Sequence, residues 1–373
     1  MSNIEAKPLR VAQIVGKVVL GGVDVMVMNY YRHIDRSKVQ FDFFMDGLDE
    51  TPIDDEILSL GGRIYKLPAY ESGMNANLKR FSELLSGNPY KVVHCHMNTL
   101  SLFWLRKAKT AGVPVRIAHS HSTAGKGEAK RNLMKYTLRP FSKRYPNQYC
   151  ACSEYAGRWM FGNSFFASGK VHVIHNAIDT NAFAYNENDR AETRAGLGIR
   201  DELVVGHVGR FVTAKNHEYI ISIFEQVRML RLNAVLLLVG DGPRRSEMEQ
   251  IVRDKGLSEK VIFTGVRTDT PKLLQAMDCF VLPSRYEGLG IAVVEAQAAG
   301  LPCYISKEVP GEVVLTGLCQ VLSLQSHAEN WAKEIVNYPA YGKRASPTQA
   351  INKQGYDIRE EAKGLEAYYL SLL

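Results

Sequence analysis

A chain of 373 residues with 46% apolar content is too long for one ordinary core and predicts two domains of roughly 150–190 residues each. No apolar run approaches the ~18–20 residues of a membrane span, and residues 1–8 lack a signal peptide's apolar core, so a cytoplasmic protein is expected. The net charge of +7 is spread along the chain; it fits anionic lipid or anionic substrates, and nucleic acid is not expected as a partner. Cys95, Cys150, Cys152, Cys279, Cys303 and Cys319 show no metal or disulfide-framework spacing and read as buried reduced thiols.

In chain order, Leu9-Arg-Val-Ala-Gln-Ile-Val15 is a predicted strand ended by Gly16, and Gly21-Gly22-Val23 opens a helical stretch over 24–32. Strand, glycine turn and helix form the phosphate-facing corner of a doubly wound α/β domain. The glycines do not follow Gly-x-Gly-x-x-Gly and stand too far from the strand for a dinucleotide fingerprint, which disfavours a nicotinamide cofactor. Gly21 and Gly22 are thus either an anion contact or a plain turn. Strands over 41–45, 63–67, 92–96 and 115–119 alternate with helices over 53–60, 78–85 and 100–111. That alternation predicts a parallel sheet covered on both faces, with ligands beyond the carboxyl ends of its strands.

Two of those strand ends carry His-x-His, His94-Cys-His96 and His119-Ser-His121. Residues i and i+2 share a side of a strand, so four imidazoles could meet at the sheet edge and hold zinc. No carboxylate or thiolate accompanies them, and no metal is expected. Residues 126–144 are basic: Lys126, Lys130, Arg131, Lys135, Arg139, Lys143 and Arg144 stand against Glu128 alone. Arg131, Lys135, Arg139 and Lys143 recur every four residues beside Leu133, Met134, Leu138 and Phe141, one stripe of a helix. Such a helix either lies on anionic lipid, at about 1 kcal/mol per basic residue, or is a solvated face interrupted at Pro140.

Further strands are expected over 149–153 and 171–174, and the polar stretch 180–200 reads as an interdomain linker. The second domain opens with Leu203-Val-Val-Gly-His-Val-Gly-Arg-Phe211. Arg210, after Gly209, and Lys215 lie five residues apart across a turn, where they could converge on a diphosphate, the Arg as a planar fork and the Lys as a point charge. Strands follow at 235–242 and 261–265, the latter leading to Val266 and Arg267.

Next comes Val281-Leu-Pro-Ser-Arg-Tyr-Glu-Gly-Leu-Gly-Ile-Ala-Val-Val-Glu-Ala-Gln-Ala-Ala-Gly-Leu-Pro302. It reads as strand, glycine loop and helix, with Glu287 in the loop and Glu295 in the helix, roughly 6–8 Å apart along the axis. The glycines admit backbone N–H groups to an anion, and a helix N-terminus adds roughly 0.3–1 kcal/mol for a phosphate. The terminal 358–370 is amphipathic at helical spacing.

The string Pro-Ser-x-x-Glu-Gly-x-Gly, the Glu-x7-Glu pair and the Glu-Ala-x-Ala-x-Gly-x-Pro that follows resemble the signature of retaining glycosyltransferases of the GT-B fold, the large family numbered four. The resemblance is strong over 203–302 and looser over 9–179, where Ala177 replaces the family's glycine in Asn-Gly-Ile-Asp. It implies two Rossmann-like, doubly wound parallel-sheet domains facing a cleft: residues 1–180, which bind acceptor and receive a returning C-terminal helix at 356–373, and residues 201–350, which bind a nucleotide-sugar.

By that resemblance Arg210, Lys215 and the helix N-terminus at Gly290 stabilise the leaving diphosphate, each lost donor costing about 2.7–4 kcal/mol by analogy with oxyanion holes. Glu287 orients the donor sugar and Glu295 holds the ribose diol. Gly21, Gly22, Gly209, Gly288, Leu289 and Gly290 line the donor, Val266 and Arg267 read the base, and His121, in preference to His119, faces the sugar. No metal or other cofactor is implied, and UDP is favoured over GDP from family habit. Gly-Gly-Val-Asp, His-Ser-His and Cys-Ser-Glu-Tyr-Ala-Gly are similar to bacterial exopolysaccharide and capsule transferases. A polyprenyl-diphosphate-linked or oligosaccharide acceptor is therefore implied, with residues 126–144 as a peripheral seat on the inner membrane face. The alternatives are a nucleotide-sugar epimerase of the same fold and a non-catalytic partner of an active transferase.

Overall fold

The computed structural model describes residues 7–18, 21–69, 73–123, 129–339 and 344–373. The chain forms two compact units; the first holds the segments up to Ile178 and from Gly355 onward, the second the span from Asp179 to Gln354.

The first unit is built on seven parallel strands: β1 (Leu9–Gly16), β2 (Val39–Asp46), β3 (Arg63–Leu67), β4 (Val92–Cys95), β5 (Val115–Ser120), β6 (Gln148–Ala151) and β7 (Val171–Val173). Their order is β3-β2-β1-β4-β5-β6-β7. Both faces are covered, which is why β1, β2, β4 and β5 read as nearly continuous buried runs. One face carries Val11, Phe41, Phe43, Val92 and Ile117 against the helices Gly22–His33 and Ile358–Ser371. The other carries Ala12, Ile14, Phe44 and Val93 against Phe81, Trp104 and Met160 from three further helices. Asp42, wholly buried in β2, is neutralised by a bidentate Arg10 and accepts from the Tyr90 hydroxyl at 2.7 Å. The chain leaves this unit and returns to it at one place, where Ile178 N–H donates to Tyr356 O and Ile358 N–H to Ile178 O, both at 3.0 Å.

The second unit repeats the plan with β8 (Leu203–Val208), β9 (Ala234–Val239), β10 (Val261–Gly265), β11 (Cys279–Leu282), β12 (Cys303–Ser306) and β13 (Cys319–Leu322). The order is β10-β9-β8-β11-β12-β13, again all parallel. Helices His217–Leu230 and Ala328–Val336 close one face around Trp331. On the sequence pattern β13 is silent, because it is a half-exposed edge strand with no apolar run.

Residues 180–200 differ from the expected linker. They form two helices, Thr180–Phe183 and Glu187–Gly196, capped by the side chains of Asp179 and Asn186. Their polarity serves packing rather than solvation. Arg190 and Arg194 bond Asp278 at 2.6 and 3.3 Å and the carbonyls of Gln275, Ala276 and Met277.

Gly240, after β9, has φ +129°, and a Cβ there would lie 2.3 Å from the Gly209 carbonyl oxygen. The turn that ends β8 therefore rests on it. Gly240→Ala is expected to destabilise the second unit by about 2–3 kcal/mol through strain and overpacking, read as a lower midpoint in denaturant unfolding; an unchanged midpoint would show that this backbone contact is soft.

Candidate functional site

In each sheet the strand order reverses between the first strand and the fourth, at β1/β4 and at β8/β11. Loops leaving neighbouring strands in opposite directions open a crevice there, beyond the carboxyl ends.

In the second unit, Gly209 and Arg210 follow β8. A Cβ at Gly209 would come within 2.8 Å of His207 Nε2, so the turn requires glycine for space. Arg210 is exposed and makes no ion pair among the described residues. Lys215 ends a 3₁₀ turn, Thr213–Lys215, and Asn216 turns the chain with φ +59° into the helix His217–Leu230. The β11 loop is tied to this turn: Asn216 Nδ2 donates to Pro283 O at 3.1 Å and Arg285 N–H to Ala214 O at 2.7 Å. So tied, Lys215 Nζ donates to Glu287 Oε1 at 2.6 Å, and Ser284 Oγ donates to the same oxygen at 2.6 Å. The sequence placed both residues in the site without pairing them. Ser284 and Asn216, which hold the pair in place, were legible only as motif letters.

Leu289 is buried and anchors the loop between Gly288 and Gly290. Gly290, at φ +90°, is the cap residue of Ile291–Ala298. Glu295 sits within that helix, buried, and desolvation pushes its carboxyl up to about 7 against the opposing pull of Lys215. Val266 and Arg267 follow β10, the edge strand two places from β8. Val266 is exposed, and Arg267 is held by Asp269 at 2.6 and 2.8 Å. Beneath the Lys215 turn, His207 Nδ1 donates to Val281 O at 2.9 Å and His217 stacks on Phe211, centroids 4.0 Å apart. Neither histidine was singled out from the sequence.

In the first unit, Gly21 caps Gly22–His33, which begins two residues earlier than expected, and its N–H donates to Asp24 at 3.1 Å. Neither glycine has positive φ, so the turn itself does not require them. His94, His96, His119 and His121 are all buried and stacked, with neighbouring centroids 3.9 to 5.2 Å apart. Ring nitrogens of His94, His96 and His119 lie within 4.8 Å of one another. They are engaged in hydrogen bonds: His94 Nε2 with His119 Nδ1 at 3.0 Å and His96 Nδ1 with His121 Nε2 at 2.8 Å. Among the described residues His119 Nε2 and His121 Nδ1 are buried without a partner, so the geometry does not favour His121 over His119.

The basic stretch differs from one helical stripe. The α-helix Ala129–Leu138 gives way to a 3₁₀ turn, Arg139–Phe141, at Pro140. Lys135 is buried and donates to Thr123 O at 2.6 Å, Arg139 lies over the Trp159 ring and Lys143 over Phe165. Leu133, Tyr136 and Phe141 are exposed instead. Lys126 and Glu128 lie outside the described residues.

Residues 20–182 match the family model described as Glycosyltransferase Family 4, and residues 189–338 match Glycosyl transferases group 1. EpsF of Bacillus subtilis (strain 168), named as a glycosyltransferase, is 37% identical over 96% of this chain and 96% of its own length. This chain is a group 1 glycosyltransferase. The UDP-Gal:alpha-D-GlcNAc-diphosphoundecaprenol alpha-1,3-galactosyltransferase of Escherichia coli is 29% identical over 60% of this chain and 59% of that enzyme. Anabaena HepE, solved with UDP, shares the fold with a TM-score of 0.76 at 20% identity, covering 98% of this chain and all of that one. The transferase thus has the GT-B fold, and the paired Lys215 and Glu287 lie within its group 1 region.

Burial holds His94, His96 and His119 well below the usual 6.5, His121 and His207 at about 3, and His217 at about 2. For a depressed base the unfolded chain takes the proton first, so stability is full above about pH 6.5 and is lost below it, by about 1.4 kcal/mol per ring per pH unit. Glu295, raised to about 7, acts oppositely between its unfolded value and 7, but it is one group against six. The thermal midpoint of the enzyme should fall steeply from about pH 6.5 to about pH 5; a flat profile there would contradict neutral burial of the rings.

Proposed function

We propose that this glycosyltransferase moves a sugar from a UDP-sugar to a hydroxyl of a polyprenyl-diphosphate-linked or oligosaccharide acceptor, with retention at the anomeric carbon, in exopolysaccharide assembly. The observation that carries this reading is the Lys215–Glu287 contact at the β8/β11 reversal, beside exposed Arg210 and buried Glu295. Arg210, Lys215 and the N-terminus of Ile291–Ala298 bring positive charge to one crevice, which suits a nucleoside diphosphate without a metal ion. The name of the undecaprenol-linked galactosyltransferase supports the acceptor class and, with UDP in HepE, the base.

In this mechanism Lys215 exchanges Glu287 for the diphosphate when donor binds, and Glu287 turns to the sugar hydroxyls. The bond from the anomeric carbon to the diphosphate oxygen breaks, the acceptor oxygen bonds that carbon on the same face, and the acceptor proton passes to the departing phosphate oxygen. Arg210 and Lys215 stabilise the charge that gathers there. Glu295, as carboxylate, accepts from both ribose hydroxyls.

Among the described residues no helix is long and apolar enough to cross a membrane. A peripheral seat is proposed at Leu133, Tyr136 and Phe141 with exposed Lys130, Arg131, Lys143 and Arg144 around them. Co-sedimentation with vesicles rich in anionic lipid should fall in a Leu133→Asp, Phe141→Asp variant while nucleotide binding is kept. Equal pelleting of the variant would remove this surface from the reading.

The donor site is tested by calorimetric titration of UDP, GDP and ADP without metal. UDP should bind in the micromolar range, and Arg210→Ala should lose about tenfold or more, roughly 1.4 kcal/mol. Because the Glu295 carboxyl is raised, UDP-sugar affinity should weaken as pH drops below about 7 and the acid takes its proton; Glu295→Gln should bind weakly without that dependence. If no nucleotide binds, or both variants match wild type, the donor assignment fails.

A further inference from the structure

The buried imidazoles of the first unit form two chains that start on one amide. Gln13 Nε2 donates to the Tyr369 hydroxyl oxygen at 3.1 Å, so the hydroxyl proton goes to His94 Nδ1 at 2.6 Å. A neutral imidazole that accepts at Nδ1 carries its proton on Nε2. His94 therefore donates from Nε2 to His119 Nδ1 at 3.0 Å, and His119 is left with an N–H at Nε2. In the second chain Gln13 Oε1 accepts from His96 Nε2 at 2.8 Å, so His96 Nδ1 accepts from His121 Nε2 at 2.8 Å and His121 Nδ1 keeps a bare lone pair. All four rings are neutral and of one tautomer, in keeping with their burial.

The chains end on opposite polarities. His119 Nε2 offers a proton, His121 Nδ1 accepts one, and the two rings stack with centroids 3.9 Å apart. These are also the two nitrogens of the eight that have no partner among the described residues. Turning the Gln13 amide over would reverse every bond in both chains and still leave one donor and one acceptor. The amide thus couples the four tautomers.

We propose that Gln13 and Tyr369 are positioning residues, which polarise the two imidazole chains so that His119 and His121 present a donor and an acceptor matched to one sugar hydroxyl. A hydroxyl both donates and accepts, so it fits this pair where a carbonyl or an ammonium would satisfy only half of it. Tyr369 stands on the helix Ile358–Ser371, 275 residues from His94 in sequence, so the returning chain end reaches the site through the rings rather than by contact with substrate. The inference rests on the transferase reading for the identity of the hydroxyl, but not for the tautomers.

Nitrogen-15 NMR of histidine-labelled enzyme, with rings assigned by single His→Gln variants, reads the tautomers directly. Wild type should show the four rings neutral with one shared tautomer. Tyr369→Phe keeps the ring and deletes the proton, and should release His94 and His119 into mixed tautomers while His96 and His121 stay fixed. Gln13→Leu should release the second chain. In binding, Tyr369→Phe should weaken UDP-sugar by about fivefold, the worth of one neutral hydrogen bond, and leave UDP itself unchanged. Four wild-type rings of unlike tautomer, or a Tyr369→Phe variant with unaltered ring nitrogens, would overturn the relay. Fixed tautomers with equal loss of UDP and UDP-sugar affinity would reduce Tyr369 to a packing role and overturn the inference too. Failure of wild type to bind any nucleotide, with the tautomers as described, would instead strike the transferase reading.

Discussion

Burying a parallel sheet on both faces removes the strands themselves from chemistry and leaves only their ends. Each crossover helix must pack back on the sheet with one hand, so the loops beyond the carboxyl ends part only where strand order reverses. Both units of this transferase obey that constraint, and both place their candidate site side chains there: Gln13, His94 and His96 at β1/β4, with His119 on adjacent β5 and His121 just after it, and Arg210, Lys215 and Glu287 at β8/β11. The glycines at 209 and 240 are the local cost, each removing a Cβ that would strike a neighbour within 3 Å.

The two sites use opposite electrostatic means. In the second unit charge is kept and paired: Lys215 and Glu287 are largely but not wholly covered, so their mutual attraction exceeds its value in water while desolvation stays affordable. A pair of that kind can be exchanged for a stronger one, and a diphosphate offers the Lys more negative charge than one carboxylate does. Glu295, buried in its helix, instead has its carboxyl raised toward neutrality by desolvation. In the first unit the imidazole cluster carries no charge, and what differs is which nitrogen of each ring bears a proton. A neutral network buried this deeply is high-stakes, because each mismatch leaves a polar atom unsatisfied.

Much of this was readable from residue order. Apolar runs of four to eight residues alternating with helical patterns located most strands, and Glu287, Glu295, Arg210 and Lys215 were named from one motif and one spacing. What misled was polarity. Residues 180–200 look like a solvated linker, yet Arg190 and Arg194 are spent on Asp278 and on carbonyls at a helix end. The basic stretch looks like one stripe, yet Lys135 is turned inward to Thr123.

The sequence by itself determined the two-unit α/β plan and named the charged residues of the candidate site at the carboxyl ends of the strands, because period, glycine placement and motif spacing are local properties of the chain. Tertiary structure alone decided which groups meet. That Lys215 bonds Glu287 across 72 positions, and that Tyr369 governs His94 across 275, depends on strand order and on where the last helix packs. Neither leaves a local trace, since burial and hydrogen-bond partners come from parts of the chain that only the fold brings together.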